Sequence, residues 1–173
     1  MADKSIKLVI FGDEQVGKSS LTRRFTKDSF SEDYKRTIGV NIESVEVEFE
    51  NCVYELLVWD IEGSLSSTAM NSTYLMGADH CLIAASLDNG ESINRLEEYF
   101  SLYGALLSNE KYTPVLNKCD LLAGSLEDRL KQLRVNDQVL SRFNDDSYGL
   151  TSAKTGDGCT ELIHKVIKGT EES

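Results

Sequence analysis

The sequence of 173 residues lacks the features that mark disulfide-rich, metal-binding, membrane-spanning and secreted proteins. It has one proline and two isolated histidines, and its four cysteines are scattered without metal-ligand spacing, which favours reduced core thiols over a disulfide or metal scaffold. No apolar run approaches the roughly 20 residues that cross a bilayer, and the opening Met1-Ala2-Asp3-Lys4 resembles no signal peptide. Basic residues are also few, and the net charge of −11 opposes nonspecific binding to nucleic acid or anionic lipid. We therefore expect a cytoplasmic globular protein that binds any polyanion through a local site.

Strand-like and helix-like patterns alternate along the whole chain, without repeats or linkers. The last helix-like segment carries the stripe Leu162, Ile163, Val166 and Ile167. Strands are predicted near 6–11, 44–50, 53–59, 80–86, 112–117 and 147–151, and helices near 18–27 and along apolar stripes within 93–107, 126–143 and 162–167. The pattern predicts an α/β fold: a doubly wound six-stranded, mostly parallel sheet with one antiparallel edge strand and about five helices. We expect a single domain over 1–173, with a short flexible tail at 169–173.

A phosphate-binding loop, residues 12–19, is the most informative motif. Gly12 and Gly17 are separated by four residues and followed by Lys18 and Ser19, directly after the apolar run 6–11. At such a strand-to-helix turn, backbone N–H groups without helical partners converge on a polyphosphate, while the lysine reaches its outer phosphates and the serine hydroxyl binds Mg²⁺. The motif predicts a nucleotide site that includes Gly12, Glu14, Gln15, Val16, Gly17, Lys18, Ser19 and Ser20.

Two weaker signals complete a predicted metal site. Asp60 ends the third strand, three residues before Gly63, where a carboxylate can hold Mg²⁺ through a water molecule and a glycine N–H can approach a terminal phosphate. Thr37 lies in the polar stretch after the first helix, and its hydroxyl can complete the shell of the ion. Together with Ser19, these residues form the predicted Mg²⁺ ligands: Ser19, Thr37 and Asp60.

The segment Asn117-Lys118-Cys119-Asp120 follows the fifth strand and predicts the base. The Asp120 carboxylate offers two acceptors to the N1–H and exocyclic amine of guanine, whereas adenine presents no such donor pair. After the last strand, Thr151-Ser152-Ala153-Lys154 can supply backbone donors to the base carbonyl. The predicted base-binding residues are Asn117, Lys118, Asp120, Ser152, Ala153 and Lys154.

In order and spacing, these motifs resemble small GTPases of the Ras superfamily, nearest the Rab branch, over about residues 5–168. Further Rab-like marks are the segments 34–40 and 59–60, and Tyr74 with 77–78. The resemblance implies the P-loop NTPase fold with GTP or GDP and Mg²⁺ as ligands. It also implies that Phe30 packs edge-on against guanine, that the stem of Lys118 lies along the base, and that Tyr34 and Gly63 belong to the nucleotide site.

The same resemblance implies how the chain meets partners. Residues 30–42 and 61–76 would be two switch segments, and Ile42, Trp59 and Tyr74 would contact effector proteins, with Ile42 in place of an aromatic residue. An exchange factor is a further expected partner, membrane traffic is the expected setting, and we expect a monomer that binds no nucleic acid. Residues 169–173 contain no cysteine for prenylation, which leaves two alternatives: a lipid anchor on a longer native C-terminus recruits the protein to membranes, or the protein acts without such an anchor.

Three departures from the family concern hydrolysis. Ser64 stands where the family has a water-orienting glutamine, Glu14 brings bulk and charge to a position that is usually small, and Ile61-Glu62 replaces Thr-Ala. Because catalysis in this family depends on positioning and charge stabilisation, we expect slow hydrolysis, with Gly63, Ser64 and Glu14 as the residues at the reacting phosphate.

Several interpretations follow from these motifs. The first is a guanine-nucleotide switch with weak hydrolysis, and the second is a pseudo-GTPase that uses nucleotide only to stabilise a protein-interaction scaffold. Hydrolysis by an unrecognised route is a third, and a phosphate-loop kinase fits poorly because Asp120 and Lys154 would have no role in it.

Overall fold

The computed structural model describes residues 2–33, 37–61, 63, 73–104, 111–141, 143 and 147–171. Within them lie six strands: β1 Lys4–Gly12, β2 Val40–Phe49, β3 Cys52–Ile61, β4 His80–Ser86, β5 Tyr112–Asn117 and β6 Gly149–Leu150. The α-helices there are α1 Lys18–Lys27, α2 Gly90–Asn94, α3 Leu96–Tyr103, α4 Leu126–Gln132, α5 Asp137–Leu140 and α6 Cys159–Glu171.

The strands form one sheet in the order β2-β3-β1-β4-β5-β6. Only the β2–β3 pair is antiparallel among the strand pairs of the described residues, and the others are parallel. This arrangement confirms the predicted fold class, including the antiparallel edge strand. The carboxyl ends of β1, β4 and β5 meet at one edge of the sheet, which is where α/β folds bind ligands.

Side chains alternate between two hydrophobic cores along β1. Leu8 and Ile10 face the core formed with α1 and α6, and Val9 and Phe11 face the core formed with α3. The Phe11 ring contacts two tyrosines of α3 edge-to-face, with centroids 5.7 and 5.0 Å away. Helices therefore cover both faces of the sheet, as the apolar periodicity predicted.

The apolar stripe within 126–143 belongs to two short helices, which corrects the prediction of one. Arg134 adopts the left-handed conformation (φ 55°) and interrupts the helical backbone after α4. Asn136 then starts α5, and its side-chain oxygen accepts a hydrogen bond from the Val139 N–H at 2.9 Å. The stripe within 93–107 is likewise divided between α2 and α3, and the described residues also include helical residues 73–75 and a 3₁₀-helix at Cys119–Leu121.

The C-terminal helix α6 continues through Glu171, so residues 169–171, predicted as part of a tail, are helical. The Glu171 carboxylate accepts hydrogen bonds from Lys4 Nζ at 2.7 Å and from the Tyr54 hydroxyl, which ties the end of the helix to β1 and β3. Residues 172 and 173 lie outside the described residues. Within the described part of the chain, no helix has both the length and the apolar character needed to cross a membrane.

Candidate functional site

A cleft of about 690 Å³ opens at the carboxyl edge of the sheet. Its volume is in the range of about 300–1,000 Å³ that is usual for cofactor and small-ligand sites. The described residues that line it come from the phosphate loop, α1, the chain before β2, the end of β3 and the loops after β5 and β6. Nearly all the predicted site residues that the structure describes line this cleft, whereas Gly12, Val16 and Ser152 are not among its lining residues.

Both glycines of the phosphate loop hold positions that only glycine fits. Gly12 has φ 140°, and a Cβ there would lie 2.1 Å from the Ala84 carbonyl oxygen. Gly17 has φ 96°, and a Cβ there would lie 2.4 Å from Nδ2 of Asn117. Any other residue would push the loop away from β4 and β5, so these glycines keep the loop backbone at the base of the cleft.

Lys18, the first residue of α1, is buried, and its Nζ donates a hydrogen bond to the Asp13 carbonyl at 2.7 Å. Glu14, Gln15 and Ser20 line the cleft beside it. The lysine is thus held at the position where the motif predicts the outer phosphates of a nucleotide.

The three predicted metal ligands are brought together by separate elements. Ser19 Oγ lies 2.8 Å from Thr37 Oγ1 and donates a hydrogen bond to Asp60 Oδ2. The distance between Thr37 Oγ1 and Asp60 Oδ2 is 3.4 Å. Asp60 is only 1% exposed, and burial raises the pKa of its carboxyl group, against the opposing effects of Ser19 and Lys18.

The second carboxylate oxygen of Asp60 has no hydrogen-bond partner among the described residues, although it is buried. An unpaired buried oxygen is costly, and a cation would satisfy it. Together with two hydroxyl oxygens it makes a set of hard oxygen ligands of the kind Mg²⁺ prefers. The residues present therefore fit a magnesium ion.

Asn117 connects the two sides of the cleft. Its Nδ2 donates to the Val16 carbonyl at 3.0 Å, and its Oδ1 accepts from the Ala153 N–H at 3.1 Å and from the Thr151 hydroxyl at 3.2 Å. The side chain is buried, so these bonds are shielded from water. The phosphate loop and the loop after β6 are thus held in a set relative position.

Lys118 adopts the left-handed conformation (φ 66°) and crosses toward the phosphate loop. Its Nζ donates to the Gln15 carbonyl at 2.9 Å and to Asp88 Oδ2 at 2.7 Å. Burial opposes ionisation of Asp88, but hydrogen bonds from Lys118 and Ser86 outweigh it and lower the pKa of Asp88. The stem of Lys118 thereby forms part of the cleft wall.

Asp120 is exposed on the cleft wall, and its Oδ1 accepts a hydrogen bond from the Ser152 hydroxyl at 2.6 Å. The Ser152 N–H donates to the Asp157 carbonyl, and the Ala153 N–H to Asn117. These two backbone groups, predicted as donors to a base, are bonded within the protein instead. Lys154 Nζ lies 3.5 Å from Glu32 Oε1 at the rim.

The switch segments are described only in part. Phe30, Thr37 and Gly63 line the cleft, and a Cβ on Gly63 would lie 2.4 Å from Lys18 Nζ. The predicted site residues Tyr34 and Ser64 lie outside the described residues, as does Glu62.

Sequence reasoning missed residues that line the cleft or contact its lining residues and the phosphate loop. Asp88 follows the buried strand β4 at its carboxyl end, a position that could have suggested it. Leu121 lines the cleft beside Asp120 and is partly exposed, but an apolar residue in a turn gives no such signal. Arg95 and Tyr99, which contact Asp13, lie on or beside a helix whose apolar stripe indicated only core packing.

The sequence of this chain is similar to that of known Ras-related proteins. Residues 7–172 match the model of the Ras family. The chain is 31% identical over 170 residues to the Ras-related protein Rab7A of Mesembryanthemum crystallinum, an alignment that covers 95% of this chain and 81% of that protein. It is 32% identical over 167 residues to human Ras-related protein Rab-36, covering 94% of this chain and 61% of that protein. With Ras-related protein Rab-1 of Theileria annulata it shares 29% identity over 173 residues, covering 98% of this chain and 76% of that protein.

Proposed function

The chain belongs to the Ras family of small GTPases and is Rab-like within it, and from this premise we propose that it is a guanine-nucleotide-binding switch acting in membrane traffic. The observation that carries the proposal is one cleft that combines a phosphate loop, three clustered oxygen ligands and the Asp120 carboxylate. On this proposal the ligands are GTP or GDP with Mg²⁺.

The phosphate end of the cleft would use residues that already face it. Gly12 and Gly17 keep the loop backbone close to the sheet, and Lys18 would exchange its bond with the Asp13 carbonyl for one with a phosphate oxygen. Ser19, Thr37 and Asp60 would hold Mg²⁺. Bound there, the ion supplies positive charge that neutralises phosphate oxygens.

At the other end, Asp120 would select guanine. The carboxylate is oriented by the Ser152 hydroxyl, which bonds to one of its oxygens. A protein carboxylate that pairs with the N1–H and amine of guanine is left unpaired by adenine, a difference that can reach about 10⁴-fold in affinity. Phe30 and the stem of Lys118, both in the cleft wall, would flank the base.

Hydrolysis is proposed to be slow. Glu14 and Gly63 both line the cleft, so Glu14 would bring a carboxylate to the site where charge develops on the transferred phosphate. This observation also favours the second candidate function, a non-hydrolysing pseudo-GTPase that serves as a nucleotide-stabilised scaffold. Both readings require guanine-nucleotide binding and differ only in whether the bound nucleotide turns over.

The partner surface is proposed to include both switch segments. Ile42 is 48% exposed on β2, directly across from Trp59 on β3, and the Trp59 ring lies 6.3 Å from that of Tyr74. Ile38 and Met76 are also exposed nearby in sequence. Exposed apolar side chains beside a nucleotide site can bind effector or exchange-factor proteins, whose binding then depends on which nucleotide is bound.

Competition binding with labelled GDP tests the proposal. Wild-type protein should bind GDP and GTP at least about 10³-fold more tightly than ATP. Asp120→Asn should shift the preference toward xanthine nucleotides, since the amide keeps an acceptor for Ser152 and presents donors to the xanthine carbonyl. Asp33→Asn changes another carboxylate of the cleft and is the matched control, with unchanged base preference. ATP and GTP affinities within tenfold of each other would contradict the proposal.

A further inference from the structure

Asp13 in the phosphate loop makes contacts outside the cleft. Its carboxylate accepts a hydrogen bond from the Tyr99 hydroxyl at 2.9 Å and forms an ion pair with Arg95, whose Nη1 lies 3.3 Å from Oδ2. The described residues that line the cleft include Glu14 but not Asp13, Arg95 or Tyr99. The Asp13 side chain therefore connects the phosphate loop to the N-terminal part of α3, through contacts that are not part of the cleft lining.

The main-chain carbonyl of Asp13, by contrast, contacts two residues that line the cleft, Lys18 and Gly63. It accepts the hydrogen bond from Lys18 Nζ at 2.7 Å. Gly63 lies against the same peptide, since a Cβ built on it would be 2.7 Å from the Asp13 carbonyl oxygen. A rotation of the Asp13 peptide would thus displace both Lys18 and Gly63.

The carboxylate of Asp13 needs both partners because only 11% of its side chain is exposed. Burial, followed by the Asp13 charge, raises the pKa of Tyr99, which keeps its phenol a neutral donor. Arg95 supplies the compensating cation and remains 41% exposed, so its own desolvation is modest. Its backbone is held by the hydrogen bond from its N–H to the Glu91 carbonyl.

We propose that Arg95 and Tyr99 are positioning residues that act through Asp13 to set the preference of the cleft for GTP over GDP. The inference rests on the proposed function. The two nucleotides differ by the terminal phosphate, and Lys18 and Gly63 are the groups proposed to face it. Loosening Asp13 therefore weakens GTP binding more than GDP binding, without altering the base site.

The test measures dissociation constants for GDP and for a non-hydrolysable GTP analogue in Mg²⁺ with the purified chain of residues 1–173. Arg95→Ala should lower the GTP-to-GDP affinity ratio about tenfold, and Arg95→Lys should recover part of it because the cation is retained. Tyr99→Phe removes only the hydroxyl and should lower the ratio by about threefold to tenfold. Arg129→Ala is the matched control, since its guanidinium bonds to the Leu87 carbonyl and not to the phosphate loop.

Circular dichroism and thermal melting separate folding from positioning. If Arg95→Ala does not fold, the ratios for Arg95→Lys and Tyr99→Phe decide the question. A ratio within twofold of wild type in the folded Arg95 and Tyr99 variants would overturn the inference, and so would an equal fall in the Arg129 control. If the wild-type protein bound neither nucleotide, the proposed function would fail and this inference with it, which is a different and recognisable result.

Discussion

Replacing Asn117 with alanine tests how the two halves of the cleft are joined. The substitution removes three hydrogen bonds, to the Val16 carbonyl, the Ala153 N–H and the Thr151 hydroxyl. The hydroxyl can rotate to another acceptor, but the two backbone groups are fixed and lie in a buried region. Leaving each of them unsatisfied costs about 1–3 kcal/mol, so we expect the free energy of unfolding to fall by about 3 kcal/mol.

The same change should weaken nucleotide binding. Because Asn117 holds the phosphate loop against the loop after β6, its loss lets the phosphate and base subsites move relative to each other. A binding penalty of about 3 kcal/mol corresponds to an increase of about 100-fold in the Kd for GDP. Urea unfolding followed by circular dichroism, together with competition binding of labelled GDP, measures both effects.

Thr151→Val provides the graded comparison. It removes one of the three bonds while keeping the shape of the side chain, so the expected loss is about 1 kcal/mol of stability, with less than about a fivefold change in Kd. The reasoning is refuted if Asn117→Ala is no less stable than Thr151→Val, or if the alanine variant binds GDP as tightly as wild type.

Three further predictions concern the metal site, pH and hydrolysis. Ser19→Asn should weaken GTP binding more than GDP binding, and EDTA should speed nucleotide release from wild type; release rates indifferent to EDTA would contradict the Mg²⁺ site. Burial, and then the charge of Lys165, lower the pKa of His80 to about 4 from 6.5, so the unfolded chain takes up a proton that the folded protein excludes. The free energy of unfolding should therefore be unaffected by His80 above about pH 6.5 and should fall by about 3 kcal/mol as the pH is lowered toward 4. Urea denaturation of His80→Gln at several pH values in this range should lack this His80-dependent fall. Single-turnover phosphate release should be no faster than about 10⁻⁴ s⁻¹ and should rise in the double variant of Glu14→Gly with Ser64→Gln, whereas a wild-type rate near one per minute would show that another group positions the water.

The alternation of strand and helix patterns was sufficient to predict a six-stranded, mostly parallel sheet with one antiparallel edge, but the order of the strands within it came from the structure. Periodicity reports which face of an element is buried, and it does so locally, so it could not show where a helix is interrupted. The break at Arg134 depends on a left-handed residue and on the cap that Asn136 provides, both inside one continuous apolar stripe. Helix number was therefore less predictable than sheet topology.

What the sequence by itself determined is the part of the site that consists of consecutive residues. Gly12 and Gly17 hold positive φ angles in a loop whose spacing is visible in the sequence, and Asn117, Lys118 and Asp120 lie at the end of one strand, so their chemistry can be read in order. Only the tertiary structure decided which distant side chains meet. The grouping of Thr37 and Asp60 with Ser19 was already predicted from the weaker motif signals, whereas the tertiary structure paired Asp88 with Lys118 and attached Asp13 to Arg95 and Tyr99. Such contacts depend on the packing of separate elements against one sheet, and because hydrogen bonds and ion pairs act over only a few ångströms, no local pattern along the chain records them.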